Sequence, residues 1–122
     1  MMTMTRSKPI YKRGDVVLVL FPNSDLRTAK LRPALVVQAD TLGTDLAQVI
    51  IAMITSRLFR ASHASRVTIL LNSQEGKRSG LLSDSVVMTD NLATVTESAI
   101  DRIIGSLPMD NVNHALRHTL GL

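Results

Sequence analysis

Apolar residues gather in short runs, separated by breaks rich in glycine, proline and polar side chains. Val16 to Phe21, opened by Gly14-Asp15 and closed by Pro22, reads as a buried strand. A polar loop from Pro22 to Lys30 follows. Arg32-Pro33 then leads a second strand, Ala34 to Gln38, with the proline at a strand's first position, where its missing N–H is tolerated. A turn from Asp40 to Asp45 holds Gly43. Gln48 to Ile54 is a third strand, and its unbroken apolar character predicts burial on both faces. It ends in the hydroxyl pair Thr55-Ser56, and a basic loop with Arg57, Arg60, His63 and Arg66 comes next. Val67 to Leu71 is a fourth strand and Asn72 to Gly80 a long polar turn. Leu81, Leu82 and Ser85 to Met88 form a fifth strand, bent at Ser83-Asp84, and Leu92 to Val95 a short sixth.

The period then changes. Ile100, Ile103, Ile104 and Leu107 have helical spacing, with Thr96 or Ser98 as N-cap, and Gly105 and Pro108 break or restart the helix. Val112, Ala115, Leu116 and Leu120 give a second amphipathic stripe, which Gly121 is placed to cap. About six strands followed by helices predict a mainly β or α+β domain, a small barrel or strongly curved sheet with helices packed on it.

A chain of 122 residues suits one domain, read as 13–122 after a flexible arm over 1–12. No apolar run nears the roughly 20 residues of a membrane span, and the N-terminal basic residues precede no signal-like stretch, so a cytoplasmic address is expected. The absence of cysteine removes disulfides, thiol nucleophiles and cysteine zinc sites. His114 and His118 are four apart, as in a zinc-binding pair, but no third ligand of matching spacing accompanies them; neither a metal nor a cofactor is expected.

Charge is uneven. Residues 1–78 carry a net +7 and residues 79–122 a net −3, giving +4 for the chain. The basic part points to a polyanion, and ten of the fourteen cations are Arg, whose planar fork suits phosphates and base edges. Only Tyr11, Phe21 and Phe59 are aromatic, too few for a module that works mainly by stacking bases, so binding must lean on Arg, hydroxyls and backbone.

Four segments carry a more specific message: Lys12-Arg13-Gly14-Asp15-Val16; Lys30-Leu31-Arg32-Pro33-Ala34-Leu35-Val36-Val37-Gln38; Ile51-Ala52-Met53-Ile54-Thr55-Ser56; and Gly80-Leu81-Leu82-Ser83-Asp84-Ser85-Val86-Val87, continuing to Leu92-Ala93-Thr94-Val95. In this order and spacing the chain resembles the MazF/PemK toxin family over about residues 12–120. The resemblance implies an SH3-like β-barrel with a C-terminal helix, a homodimer, and a growth-inhibiting endoribonuclease acting on single-stranded RNA. It also implies a small cognate antitoxin, with an acidic or disordered tail, that covers the active-site surface and binds DNA together with the toxin. One departure is Leu92-Ala93-Thr94-Val95-Thr96-Glu97, where many relatives carry a basic residue and a charged helix start.

Metal-free RNA cleavage uses the ribose 2′-OH as nucleophile on the adjacent phosphate, giving a 2′,3′-cyclic phosphate and a 5′-OH; DNA lacks that hydroxyl. The site must neutralise charge on the phosphoryl oxygens and move two protons. Matching the family's motif, Arg32 takes the charge role and Thr55, with Ser56, the hydroxyl role. The general base stays open between Asp84, which is also a good turn residue, His63 and water. Arg27, Thr28 and Lys30 in the loop entering Arg32, and Arg57 and Arg60 after the hydroxyl pair, are candidate RNA contacts. Two other readings remain at this stage: a non-catalytic SH3-like module that binds nucleic acid or protein, and a CcdB-like gyrase poison. The second depends on a C-terminal Trp, and the chain has no Trp.

Overall fold

The computed structural model describes residues 10–122. Its elements are β1 (Asp15–Pro22), β2 (Ala29–Val36), β3 (Gln48–Thr55), β4 (Arg66–Ile69), α1 (Gln74–Ser79), β5 (Ser85–Thr96), β6 (Ile100–Ser106) and α2 (Asp110–Leu120). Single 3₁₀ turns cover Leu58–Arg60 and Glu97–Ala99. The six strands form one antiparallel sheet in the order β4-β5-β3-β2-β1-β6. The mainly β, α+β class is as expected, with six strands. The sheet is open rather than a closed barrel: among the described residues no ladder joins β4 to β6.

The apolar runs are explained by the pleat. Side chains alternate between faces, so Val16, Leu35, Ala52 and Ile54 build one buried cluster while Val17, Val19, Ala34, Val36, Val49 and Ile51 build a second on the opposite face. The ladders agree: Val16 pairs with Leu35 and Leu35 with Ala52, whereas Val17 pairs with Ala34 and Ala34 with Met53. Val112 and Leu107, with Met109 and Leu116 partly buried, close the first cluster from the side of α2. Burying each such Val or Leu is worth roughly 1.5–3 kcal/mol.

Four expectations need correction. The helix over Ile100 to Leu107 is strand β6. Its three-residue spacing mimics a helix because two β-bulges each insert one residue: Val19 pairs with Ile100 but Val17 with Ile103, and Val16 with Gly105. The fifth and sixth strands are one long strand, β5, in which Met88 and Leu92 face adjacent residues of β3, Met53 and Ala52. Thr89, Asp90 and Asn91 bulge out between them, so a polar interruption that reads as a strand end is an insertion within a strand. The polar turn Asn72 to Gly80 contains α1. Ser73 caps it by accepting the Gly76 N–H at 3.0 Å, and Gly80, in the left-handed region at φ 72°, ends it. A Cβ at Gly80 would collide with the Ile104 carbonyl oxygen, so glycine is required there for α1 to abut β6. Leu81 and Leu82 lie outside any strand.

Strand β2 begins at Ala29, which shortens the first loop and puts Pro33 inside the strand. The β2–β3 ladder starts only at Ala34, so upstream of it β2 pairs with β1 alone and a proline is tolerated. Of the arm expected over 1–12, residues 1–9 lie outside the described residues. Tyr11 already packs against the second cluster, and the Lys12 N–H donates to the Asp15 carboxylate.

Candidate nucleic-acid interface and active site

The site begins with register. Strands β2 and β3 pair at Ala34–Met53, Leu35–Ala52 and Val36–Ile51. The ladder ends at Ala34–Met53; two residues further along each strand come Arg32 and Thr55, which by the alternation of the pleat share the face of Ala34 and Met53. Both residues line an open cleft of about 1060 Å³, at the top of the roughly 300–1,000 Å³ range of small-molecule sites.

Among the described residues five cations line this cleft, Lys30 and Arg32 on β2, Arg57 and Arg60 after β3, and Arg102 on β6, and no Asp or Glu does. Arg32 is exposed, and among the described residues its fork has no hydrogen-bond or ion-pair partner. The Thr55 hydroxyl oxygen accepts the Arg57 N–H at 3.1 Å, which fixes the rotamer and leaves the hydroxyl proton to donate outward. Ser56 is exposed in the same lining.

Other candidates fall elsewhere. Asp84 is half-buried and accepts the Leu71 N–H at 2.8 Å; its neighbours Ser83 and Ser85 line the cleft and it does not. Arg27 and Thr28 belong to a self-braced hairpin loop outside the lining. The Asp25 carboxylate accepts the backbone N–H groups of Arg27 and Thr28 and the Thr28 hydroxyl, and Asn23 donates its amide to that hydroxyl at 2.8 Å. Those two backbone donors, Arg27 first, hold the Asp25 carboxyl below its usual range. His63 pairs through Nδ1 with Ser65 at 2.7 Å, and its ring centre is 6.1 Å from that of His118. Among the described residues, no three His, Cys, Asp or Glu side chains gather as metal ligands.

Two cleft residues escaped the sequence reading. Arg102 sat inside the expected helix, although it is one of only two cations after residue 78. Asn91 sat in an expected gap between strands. It is presented by the β5 bulge, whose other residues are anchored: Thr89 is buried and donates to the Ser65 carbonyl, and Asp90 is paired to Arg66 at 2.9 Å. The Arg66 guanidinium also donates to the Arg60 carbonyl at 2.9 Å, bracing the turn that carries Arg57 and Arg60.

Fold and cleft define a small antiparallel-sheet protein with a cationic cleft that a guanidinium and two hydroxyls line together. The chain belongs to the family of PemK-like, MazF-like toxins of type II toxin–antitoxin systems, whose model matches residues 12–120. It is 32% identical over 117 residues to endoribonuclease EndoA of Bacillus subtilis, covering 93% of this chain and 97% of that one. It is 30% identical over 115 residues to endoribonuclease MazF of Staphylococcus saprophyticus, covering 91% and 92%. In fold it is similar to a mycobacterial endoribonuclease solved in complex with its cognate antitoxin (TM-score 0.70, 21% identity, 92% and 96% coverage). It is similar too to a MazE–MazF structure from Deinococcus radiodurans (TM-score 0.69, 19% identity, 93% and 97% coverage).

Proposed function

We propose that this chain is the toxin of a toxin–antitoxin pair and cleaves single-stranded RNA as a metal-independent, sequence-preferring endoribonuclease. The observation that carries the reading is that Arg32 and Thr55 line one cleft in which, among the described residues, five cations and no carboxylate gather. That lining suits a phosphate backbone and offers no carboxylate to a divalent cation. Kinship with two named endoribonucleases supports the same reading.

The 2′-oxygen attacks the adjacent phosphorus and the P–O5′ bond breaks, leaving a 2′,3′-cyclic phosphate and a 5′-OH. Arg32 grips the phosphoryl oxygens with two parallel hydrogen bonds, strongest as charge builds in the transition state. Thr55, its lone pair taken by Arg57, donates to a third oxygen, and Ser56 assists. The 2′-OH proton leaves to water, and the proton that O5′ needs arrives from Arg32 or water. Asp84 acts as a positioning residue, fixing the Leu71 amide beside the wall formed by Ser83 and Ser85. Lys30, Arg57 and Arg60 hold flanking phosphates. Arg27 and Thr28 shape the neighbouring loop, Thr28 through its bonds to Asp25 and Asn23.

An antitoxin with an acidic, disordered tail complements the cationic lining. Leu20 and Leu31, neighbours in the β1–β2 ladder and both exposed, give a second copy an apolar surface for a homodimer. Among the described residues no helix is long and apolar enough to cross a membrane; the proposed activity on cellular RNA would be exercised in the cytoplasm.

The test is cleavage of long single-stranded RNA in EDTA beside Arg32→Ala and Thr55→Ala, with end groups mapped. Discrete cuts ending in cyclic phosphate, lost in both variants, are expected. Intact RNA across several long substrates would leave a binding module.

A further inference from the structure

We propose that Phe59 is a stacking platform for an unpaired base of the bound RNA, a role that rests on the RNA reading above. The chain has three aromatic residues. Tyr11 and Phe21 pack against the second core cluster, whereas Phe59 is 79% exposed. Its place is not arbitrary: it lies in the Leu58–Arg60 turn, four residues after Thr55, and the arginines on either side, Arg57 and Arg60, line the cleft.

A phenyl ring held in water gives up the hydrophobic gain that burial would bring, yet this one is presented on a braced turn. The Arg60 N–H donates to the Arg57 carbonyl and the Ala61 N–H to the Leu58 carbonyl, both at 3.0 Å. Arg66, itself clamped by Asp90, fixes the Arg60 carbonyl. The Arg60 guanidinium lies over the ring, its central carbon 5.4 Å from the ring centre, a cation–π contact that orients both groups. A base stacked on the ring meets the guanidinium at its edge or across the ring, while its phosphate meets Arg57. Every base has a π-face, so the platform adds affinity and reach without choosing a sequence.

Because the chain has no Trp, Phe59→Trp supplies a single Trp at the platform, excited selectively over Tyr11. The probe is a short 2′-O-methylated single-stranded RNA, which 2′-OH attack cannot cleave. Quenching of the Trp emission by the single strand, and not by its duplex, is expected. Phe59→Ala and Phe59→Leu should both weaken binding about five- to 150-fold, the equivalent of 1–3 kcal/mol, since leucine keeps apolar area but has no π-face. No quenching, or wild-type affinity in Phe59→Leu, overturns the proposal. So does a Phe59→Ala protein that binds RNA normally and loses only inhibition by an antitoxin, which makes the ring a protein contact. Quenching by RNA alongside a wild-type protein that cuts nothing upholds the platform and removes the nuclease.

Discussion

Arg32 and Thr55 line one cleft, each lying two residues beyond Ala34–Met53, the last pair of the β2–β3 ladder. The relationship is set by the core. Ala34, Leu35, Val36, Ile51 and Ala52 are buried on one face or the other, and a slip of one residue would turn every one of them to the wrong side. The packing that stabilises the sheet therefore also sets which residues of β2 and β3 reach the cleft.

Arg32→Ala should lower kcat by at least about 10²–10³-fold, the usual loss for one preorganised donor to a developing oxyanion. Its thermal midpoint should match wild type, since the exposed side chain bonds to no other described residue. Arg32→Lys should recover only part of the loss, because an ammonium cannot grip two oxygens in one plane. Thr55→Ser should keep most activity and Thr55→Ala little. Single-turnover kinetics on one cleavable oligonucleotide measure all four; wild-type kcat in Arg32→Ala would remove this residue from the chemistry.

Leu35→Ala should destabilise the fold by about 2–5 kcal/mol. Leu35 is fully buried, with Val16 and Ala52 as its ladder partners, and the neighbouring strands cannot close over the cavity without breaking register. Leu82, 96% exposed, is the control: Leu82→Ala should stay within about 0.5 kcal/mol of wild type. Urea denaturation of the three proteins checks both expectations.

Asp90 makes stability depend on acid. The hydrogen bond from Arg66 holds its carboxyl below the usual range, so the folded state favours the carboxylate. Its contribution is therefore fully present above the ordinary aspartate pKa near 3.9 and is lost as pH falls through the lower folded value. With the Asp90 side chain 35% exposed, the pair is worth only about 0–1 kcal/mol after screening. Asp90→Asn should be slightly less stable than wild type above about pH 4, and the two stability curves should converge below it. A constant gap down to pH 2 would mean that the aspartate acts through packing instead.

The parts of this molecule that follow a period were legible in its sequence, and the parts that break one were not. Val16 to Phe21 reads as a buried strand and Gln48 to Ile54 as one buried on both faces, and alternation in both strands fills two clusters, although Leu20 is exposed. α2 showed its stripe through Val112 and Ala115, both buried. The bulges hid the rest. An inserted residue in β6 gave Ile100 and Ile103 a helical interval, and three inserted residues in β5 split one strand into two. Register is a property of pairs of strands, so a single strand's pattern does not record it. For that reason the pattern does not mark Arg102 and Asn91 as cleft residues, while Arg32 and Thr55 are singled out by the segments that resemble the family's motif and not by register.

Salt dependence separates the cleft cations from the rest. If all five bind phosphates, log affinity for single-stranded RNA should fall against log salt with a slope near −3.5, about −0.7 per phosphate neutralised. Arg102→Ala should reduce that slope to about −2.8, although its own ion pair, to the adjacent Asp101 with both side chains exposed, costs little to give up. Arg27→Ala should leave the slope near −3.5, because Arg27 does not line the cleft. Titrations of an uncleavable single-stranded RNA over a range of sodium chloride concentrations read the slopes directly. If Arg27 and Arg102 changed it equally, the RNA would be tracking the net charge of the protein rather than this cleft, and the β6 cation would have no special place in the path of the strand.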